Sequence, residues 1–380
     1  MDKLQIKNFK SHSNTTIDLG NMNILTGMNG MGKSSVIQSL LLLRQTYSKG
    51  MLGYGLELNG ELCSIGTAND AMYRYAEDSD LIEFLINAQH SSFHYGFRVD
   101  ASNIAKTFLE GKNEIGKDSE LSLFSNGFQY ISAFRNGPMN DYIKDSAAVE
   151  LLGQISRIEG RGELVAHYYD HYKTDEVHPY LIEDEQIGTS VQAQVEYWMR
   201  EISPNINIDI QSIGNSFKLN YSFNRGKGTV KTDPFLSTNI GFGVSYVLPI
   251  VLSAIVACSK KKVAEHFDCK NKLILIENPE AHIHPNAQAN LMKLLCKAAN
   301  LGVQFIIETH SDHIINSILV ANKNNLLGND LIKIYYFTRE ENKHLTITEQ
   351  LPIEKGGRIK NPPKGFFDQI DIHMRQLMGF

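Results

Sequence analysis

The stretch GMNGMGKS, residues 27–34, decides the fold. It fits G-x-x-x-x-G-K-[ST], with the apolar run NMNILTG (21–27) leading into it and SSVIQSLLLLRQTY (34–47), free of glycine and proline, following it. Strand, glycine loop and helix in that order are what a phosphate-binding loop requires, and an accidental glycine-rich turn would lack the flanks. Glycines let the backbone curl until successive N–H groups face phosphate oxygens, and the helix adds its positive end. The nucleotide-binding set read from the loop is Gly27, Asn29, Gly30, Gly32, Lys33, Ser34 and Ser35. Lys33 would put a point charge on the β- and γ-phosphates, and the Ser34 hydroxyl is placed to ligate Mg²⁺.

Such a loop serves kinases, GTPases, motors and ATPases alike, so the decision passes to the closing third of the chain. There LILIENPEAHIHP (273–285) runs four apolar residues into Glu277, as a parallel strand delivers an acid to a sheet edge. Glu277 is expected to hold Mg²⁺ through water. About 30 residues on, VQFIIETH (303–310) ends in His310, placed to hydrogen-bond a γ-phosphate and report its presence. Upstream, NIGFGVSYV (239–247) opens an apolar helix with glycines, so Gly241, Gly243 and Ser245 could meet the γ-phosphate of a nucleotide held by another subunit. The bland alternative is a glycine-rich helix start packed in the core.

Around these motifs the pattern is α/β. KLQIKNF and TTIDLG predict an N-terminal hairpin, and KLILIEN, NAQANLMKLLCKAAN, GVQFIIET, SDHIINSILVANK and LIKIYYFT alternate strand and helix, which implies a parallel sheet with crossover helices. Short alternating runs between residues 52 and 130 predict a β-rich lobe, and SVQAQVEYWMREIS (190–203) an amphipathic helix. The expected division is 1–50 for the first half of an ATPase core, 51–235 for a β-rich and helical insertion, 236–340 for the second half and 341–380 for a tail.

Composition narrows the partners. Lys plus Arg number 37 against 42 Asp plus Glu, a formal net charge of -5, so there is no global pull toward nucleic acid or anionic membrane. Local basic clusters remain at 260–262, at Arg225, Lys227 and Lys231, and at Arg358, Lys360 and Lys364; solvated hairpin tips are the ordinary reading of these. No run approaches the length of a membrane helix and no secretory signal opens the chain, which predicts a cytoplasmic protein without a membrane partner. Cys63, Cys258, Cys269 and Cys296 lack CxxC spacing and are expected to be free buried thiols. Glu280, His282 and His284 alternate, but Pro285 places them in a turn rather than on one strand face, so zinc is set aside.

LTGMNGMGKSS, the glycine-opened helix, LILIENPEAHIHP and IIETHSDHII occur in the order seen in ABC-type ATPases of the SMC, RecF and OLD-like group, which this sequence resembles. The opening LQIKNFKSHSNTTIDLGNMNILTG is similar to that group's N-terminal hairpin, and GRIKNPPKGFFDQIDIHMRQLMGF to the C-terminal piece of a bacterial subfamily. YISAFRNGP is the main likeness within the middle of the chain. The resemblance implies a P-loop NTPase of ABC-ATPase head type, with ATP and Mg²⁺ enclosed between Lys33, Ser34, Glu277 and His310 of one subunit and Gly241 to Ser245 of the other. It also implies that a glutamine of the first helix, Gln45 or Gln38, touches Mg²⁺, and that Lys10, Ser11 and His12 approach the nucleotide.

One departure stands out. The group's acid pair is Asp then a catalytic Glu, whereas here Glu277 is followed by Asn278, which cannot take a proton. Either Asn278 only positions water and hydrolysis is slow, or Glu280 reaches the water. About 40 residues follow the last strand, too few for the nuclease module of OLD-like proteins, so the expected partner is a separately encoded effector such as a nuclease or toxin. The functional expectation is an ATPase whose nucleotide-dependent dimerisation controls that effector in bacterial antiphage defence. The alternatives are a DNA-clamping repair ATPase, with nucleic acid as partner, and a weakly hydrolysing scaffold.

Overall fold

The computed structural model describes residues 1–76, 81–89, 91–99, 104–116, 118–225, 230–261, 264, 266–340, 342–354, 356–360, 362–363, 366 and 369–378. Its centre is a six-stranded sheet in the order Leu345–Gln350, Ile332–Glu340, Met22–Gly27, Gln304–Glu308, Leu273–Glu277, Phe128–Ile131. The first pair is antiparallel and every other pairing is parallel. Continuous apolar runs such as LILI are expected where a parallel sheet is covered on both faces. Ile24, Ile274, Ile276, Phe305 and Ile307 enter one core, while Leu25, Leu273, Leu275 and Ile306 enter the other.

The helix after the phosphate loop, Lys33–Ser48, packs in the second core with Leu40, Leu41, Leu42 and Leu43 all buried. The first core is covered by Val191–Ile202, Phe242–Ala257 and Pro285–Asn300. Phe242–Ala257 is apolar on all sides and buried along most of its length, with Pro249 inside it. The four cysteines are free and buried. Among the described residues no helix is long and apolar enough to cross a membrane.

Two divisions of the chain differ from the sequence expectation. Within 51–235, Phe128–Ile131 is the edge strand of the central sheet, and Leu81–Ala88 and Ser91–Arg98 extend the N-terminal hairpin into a four-stranded antiparallel sheet. A four-residue strand in a loop-rich stretch carries too short a periodicity to announce itself. The supposed tail begins inside a hairpin, because Leu345–Gln350 pairs with Ile332–Glu340. The turn-forming ENKH between them imitates a domain end. Of the basic clusters, Lys227, Lys262 and Lys364 lie outside the described residues.

Leu275 is fully buried in the middle of the acid strand. Leu275→Ala is expected to lower unfolding free energy by about 2–5 kcal/mol, through lost transfer energy and the cavity left behind. Chemical denaturation beside the exposed-site control Met28→Ala measures it.

Candidate functional site

The phosphate loop is held by its own lysine and, from behind, by residues far away in sequence. Lys33 Nζ donates to the carbonyls of Gly27 (2.9 Å) and Met28 (2.7 Å). Arg339 Nη2 donates to the Gly30 carbonyl, Thr346 Oγ1 to that of Met31 (3.0 Å), and His12 Nε2 to that of Gly32 (3.0 Å). A trans peptide points its N–H opposite its C=O, so tethering these carbonyls turns the following N–H groups the other way. Gly32 has φ 99°, and a Cβ there would lie 2.3 Å from Thr346 Oγ1. Gly27 has φ 136°, with a Cβ falling 2.4 Å from the Phe337 carbonyl oxygen. These two glycines are demanded by packing as well as by the turn.

Above the loop lies a cleft of about 860 Å³. Asn29, Gly30, Gly32, Lys33, Ser34 and Ser35 line its floor; Lys10, Ser11, Gln38, Tyr73 and Arg74 line its walls. Glu308, the last residue of the sensor strand Gln304–Glu308, closes the far side. Ser34 Oγ donates to Glu308 Oε1 at 3.0 Å, and Lys33 Nζ stands 4.0 Å from the same oxygen. Parallel pairing places Glu277 directly opposite Glu308, and Glu308 opposite Leu25. Burial, then the charge of Glu277, pushes Glu308 up to about 7. Burial likewise raises Glu277, whose Oε2 accepts from the Ala133 N–H at 3.2 Å and whose carboxylate also meets the Tyr130 hydroxyl. Lys33 is lowered by burial against the opposing pull of Glu308.

The ends of the two strands are tied together. The Asn278 N–H donates to the Glu308 carbonyl (2.8 Å), and Asn278, at φ 44°, is followed by the turn to Glu280. Glu280 accepts from the Thr309 hydroxyl (2.8 Å), the His310 N–H (2.9 Å) and the Asn278 amide (3.3 Å). The His310 ring itself is exposed, and burial of its surroundings followed by Lys33 lowers its basicity. Arg135, almost fully buried, donates to the carbonyls of Ser132 (2.8 Å), Glu277 (2.8 Å) and Asn278 (2.7 Å). Its other face lies on Tyr246, 5.2 Å from the ring centre, which links the acid strand to the glycine-opened helix.

Three expected residues are placed elsewhere. Gln45 is not at the cleft: its amide donates to the Glu57 carbonyl and accepts from the N–H groups of Leu62 and Cys63, so no lone pair remains for Mg²⁺. Gln38 is the glutamine that faces the cleft, and Lys10 Nζ donates to it at 2.7 Å. His12 is wholly buried, with both ring nitrogens bonded, and supports the loop instead of meeting a ligand. Ser245 is buried beside Tyr221, beneath the helix start. Gly241 caps Phe242–Ala257 with open space around its Cα, and Gly243 packs so closely that a Cβ would lie 2.4 Å from the His282 carbonyl oxygen. Among the described residues, neither glycine lines the cleft. His284 caps Pro285–Asn300 and His282 packs against Tyr246. Sequence reasoning passed over Glu308 and Arg135. The signal for Glu308 was available, since IIETH puts an acid at the strand end beside the P-loop strand.

ATP with Mg²⁺ fits these groups: a curled glycine loop, a lysine held only by loop carbonyls and one carboxylate, a serine hydroxyl, and a buried carboxylate oxygen, Glu308 Oε2, without a hydrogen-bond partner. The family profile described as AAA domain, putative AbiEii toxin, type IV TA system, matches residues 22–316. A second, described as protein of unknown function (DUF3696), matches 327–377. The endonuclease GajA of Bacillus cereus (strain HuB5-5) is 32% identical over 111 residues, 27% of this chain and 15% of its own length. The Old nuclease of Escherichia phage P2 is 21% identical across 97% of this chain and 70% of its own length. The DNA double-strand break repair Rad50 ATPase of Archaeoglobus fulgidus is 26% identical over 166 residues, 42% of this chain and 17% of that ATPase. This chain therefore spans less than a fifth of the length of GajA and of Rad50. A solved SMC head, bound to the C-winged helix domain of ScpA, superposes with a TM-score of 0.51 at 13% identity, covering 92% of this chain and 98% of that one. That likeness establishes an SMC-head fold.

The buried His12 generates a pH prediction. Burial pushes it down to about 4, against an ordinary value of 6.5. Its neutral form is the folded one, so its contribution to stability is complete above pH 6.5 and is lost as pH falls through 4. The linked loss by pH 4 is of order 3 kcal/mol. The drop in unfolding free energy between pH 7 and 4.5 should be smaller in His12→Gln than in the wild type, as measured by denaturant melts.

Proposed function

This chain belongs to the family of AAA domains described as putative AbiEii toxins of type IV toxin–antitoxin systems, and from that premise we propose that it hydrolyses ATP slowly and uses nucleotide-dependent self-association to gate a separately encoded effector in antiphage defence. The observation that carries the reading is the joining of P-loop, acid strand and sensor strand by one run of hydrogen bonds. Lys33, now bonded to Gly27 and Met28, can exchange those carbonyls for β- and γ-phosphate oxygens without leaving its place. Ser34 would hold Mg²⁺ from the loop side, and the acids at the strand ends from the other. When bound, Mg²⁺ neutralises charge on the β- and γ-phosphates.

Glu280 is positioned to sense more than to abstract a proton. Both of its oxygens are committed to the backbone and side chains of the sensor turn. Asn278 then remains beside the acid strand as the group able to orient a water, and an amide supplies no base. Slow turnover follows, which suits a switch that must persist in its ATP-bound form.

Self-association is supported by the glycine-opened helix. Gly241 and Phe242 are exposed at its start and stand apart from this chain's own cleft, so they suit a partner copy's nucleotide better than their own. The likeness to GajA and the Old nuclease supports a defence setting with a nuclease as effector. The likeness to the Rad50 ATPase supports a second reading, a DNA-clamping repair ATPase. Stimulation of hydrolysis by duplex DNA, lost when Arg225 and Lys231 are neutralised, would favour that second reading.

Phosphate release tests the activity. Lys33→Ala should lose it by a factor of order 10² or more, whereas Glu280→Gln should stay within about threefold of wild type and Asn278→Glu should run about 10²-fold faster, the range of general-base catalysis. No phosphate release by wild type together with unaltered ATP binding in Lys33→Ala would defeat the ATPase reading. ATP-dependent dimerisation, followed by light scattering, should vanish in Lys33→Ala and be weakened in a charge-bearing Gly241→Asp.

A further inference from the structure

Taking the cleft as an ATP site, we infer that Glu308 is an inner metal ligand: with Ser34 Oγ it takes the divalent cation that accompanies the triphosphate, and Glu277 supports it from behind. Three observations carry this. Glu308 Oε1 lies 3.0 Å from Ser34 Oγ, and two oxygens that are neighbouring ligands of an octahedral Mg²⁺, each about 2.1 Å from the metal, stand roughly 3 Å apart. Glu308 Oε2 is buried and has no hydrogen-bond partner, on a residue only 6% exposed. Glu277, the acid expected to serve the metal, is turned toward the Ala133 N–H and the Tyr130 hydroxyl.

Charge makes the same demand. Glu277, Glu280 and Glu308 gather at the ends of the central strands, where Lys33 and Arg135 are nearby cations among the described residues. Arg135 spends its donors on three backbone carbonyls. Lys33 stands 4.0 Å from Glu308 and must move its attention to phosphate when nucleotide enters. A buried carboxylate facing incoming phosphates would repel them unless a cation lay between. Among the described residues no three His, Cys, Asp or Glu side chains converge to hold a cation unaided. Phosphate oxygens and water must complete the shell, which is how Mg²⁺ is ordinarily held at nucleotide sites.

The Ser34 to Glu308 hydrogen bond is then the nucleotide-free form of a metal bridge. With the metal held, the Ser34 hydroxyl would offer it a lone pair and turn its proton away from Glu308 Oε1. Affinity for the triphosphate should thus depend on Glu308 when the cation is present and not when it is absent.

The test is binding of the non-hydrolysable analogue AMP-PNP to the full chain, by calorimetry, in Mg²⁺ and in EDTA. Wild type should bind more tightly in Mg²⁺. Glu308→Gln should lose at least tenfold of that Mg²⁺-dependent gain while its affinity in EDTA stays within threefold or improves, and Glu308→Asp should recover part of the gain. A Glu308→Gln protein that keeps the full gain, or that weakens equally in both conditions, overturns the inference while leaving the ATP site standing. Failure of wild type to bind AMP-PNP in either condition overturns the site and the inference together. A measurement on wild type needs no folded variant: Fe²⁺ in place of Mg²⁺, with AMP-PNP, ascorbate and peroxide, should cut the backbone beside 308 and 34. Cuts beside 277 without cuts beside 308 overturn the assignment.

Discussion

The parallel register that sets Glu277 opposite Glu308 and Glu308 opposite Leu25 is the constraint on which the rest of the site depends. Adjacent parallel strands stand about 4.8 Å apart and residues in register point to the same face. Two acids at the ends of neighbouring strands must therefore share one small volume beside the phosphate loop. Apolar packing on both faces fixes the two strand ends, and Glu277 meets the crowding by turning toward the Ala133 N–H and the Tyr130 hydroxyl. Burial raises both carboxylates, and at Glu308 the charge of Glu277 adds to it.

The loop opposite is kept ready by a different economy. His12 and Ser11 come from the first hairpin, Arg339 and Thr346 from the last, and Ser11 and Thr346 also bond to each other at 2.7 Å. Contacts separated by more than 300 residues thus fix a loop of eight. Loop shape is consequently a property of the whole fold and not of the glycine motif alone. The entropy of ordering the loop is met when the sheet closes, before any ligand binds, which is the sense in which the site is preorganised.

How much of this could be read beforehand follows from the range of each signal. The phosphate loop, acid strand and sensor strand were legible because each couples a local motif to a strand or helix of clear periodicity. Gln45 and Gln38 were not separable: seven residues apart on one helix, they are distinguished only by what packs against them, the strand Gly55–Glu57 and its loop in one case and Lys10 in the other. Ser245 looked like a helix-start donor, but helix phase points it into the core. The resemblance placed His12 near the nucleotide, and only the three-dimensional fold reveals that both its nitrogens are taken. Arg135 lay in a stretch that matched the resembled group loosely, and its role is to hold carbonyls 142 and 143 residues away. Strand pairing crosses the expected divisions where a short strand or a tight hairpin joins pieces that composition separates.

The geometry also bears on why Asn stands at 278. Its backbone is left-handed, a conformation Asn adopts at less cost than Glu. Its N–H holds the sensor strand and its amide touches Glu280. A carboxylate in that position would bring a further negative charge to an edge that already holds Glu277, Glu280 and Glu308, and would lose the amide's hydrogen bond to Glu280. Asparagine thus resolves a crowding of acids that Glu308 creates. An asparagine at 278 therefore leaves this edge with one carboxylate fewer than a glutamate there would, while keeping its bonds to Glu308 and Glu280.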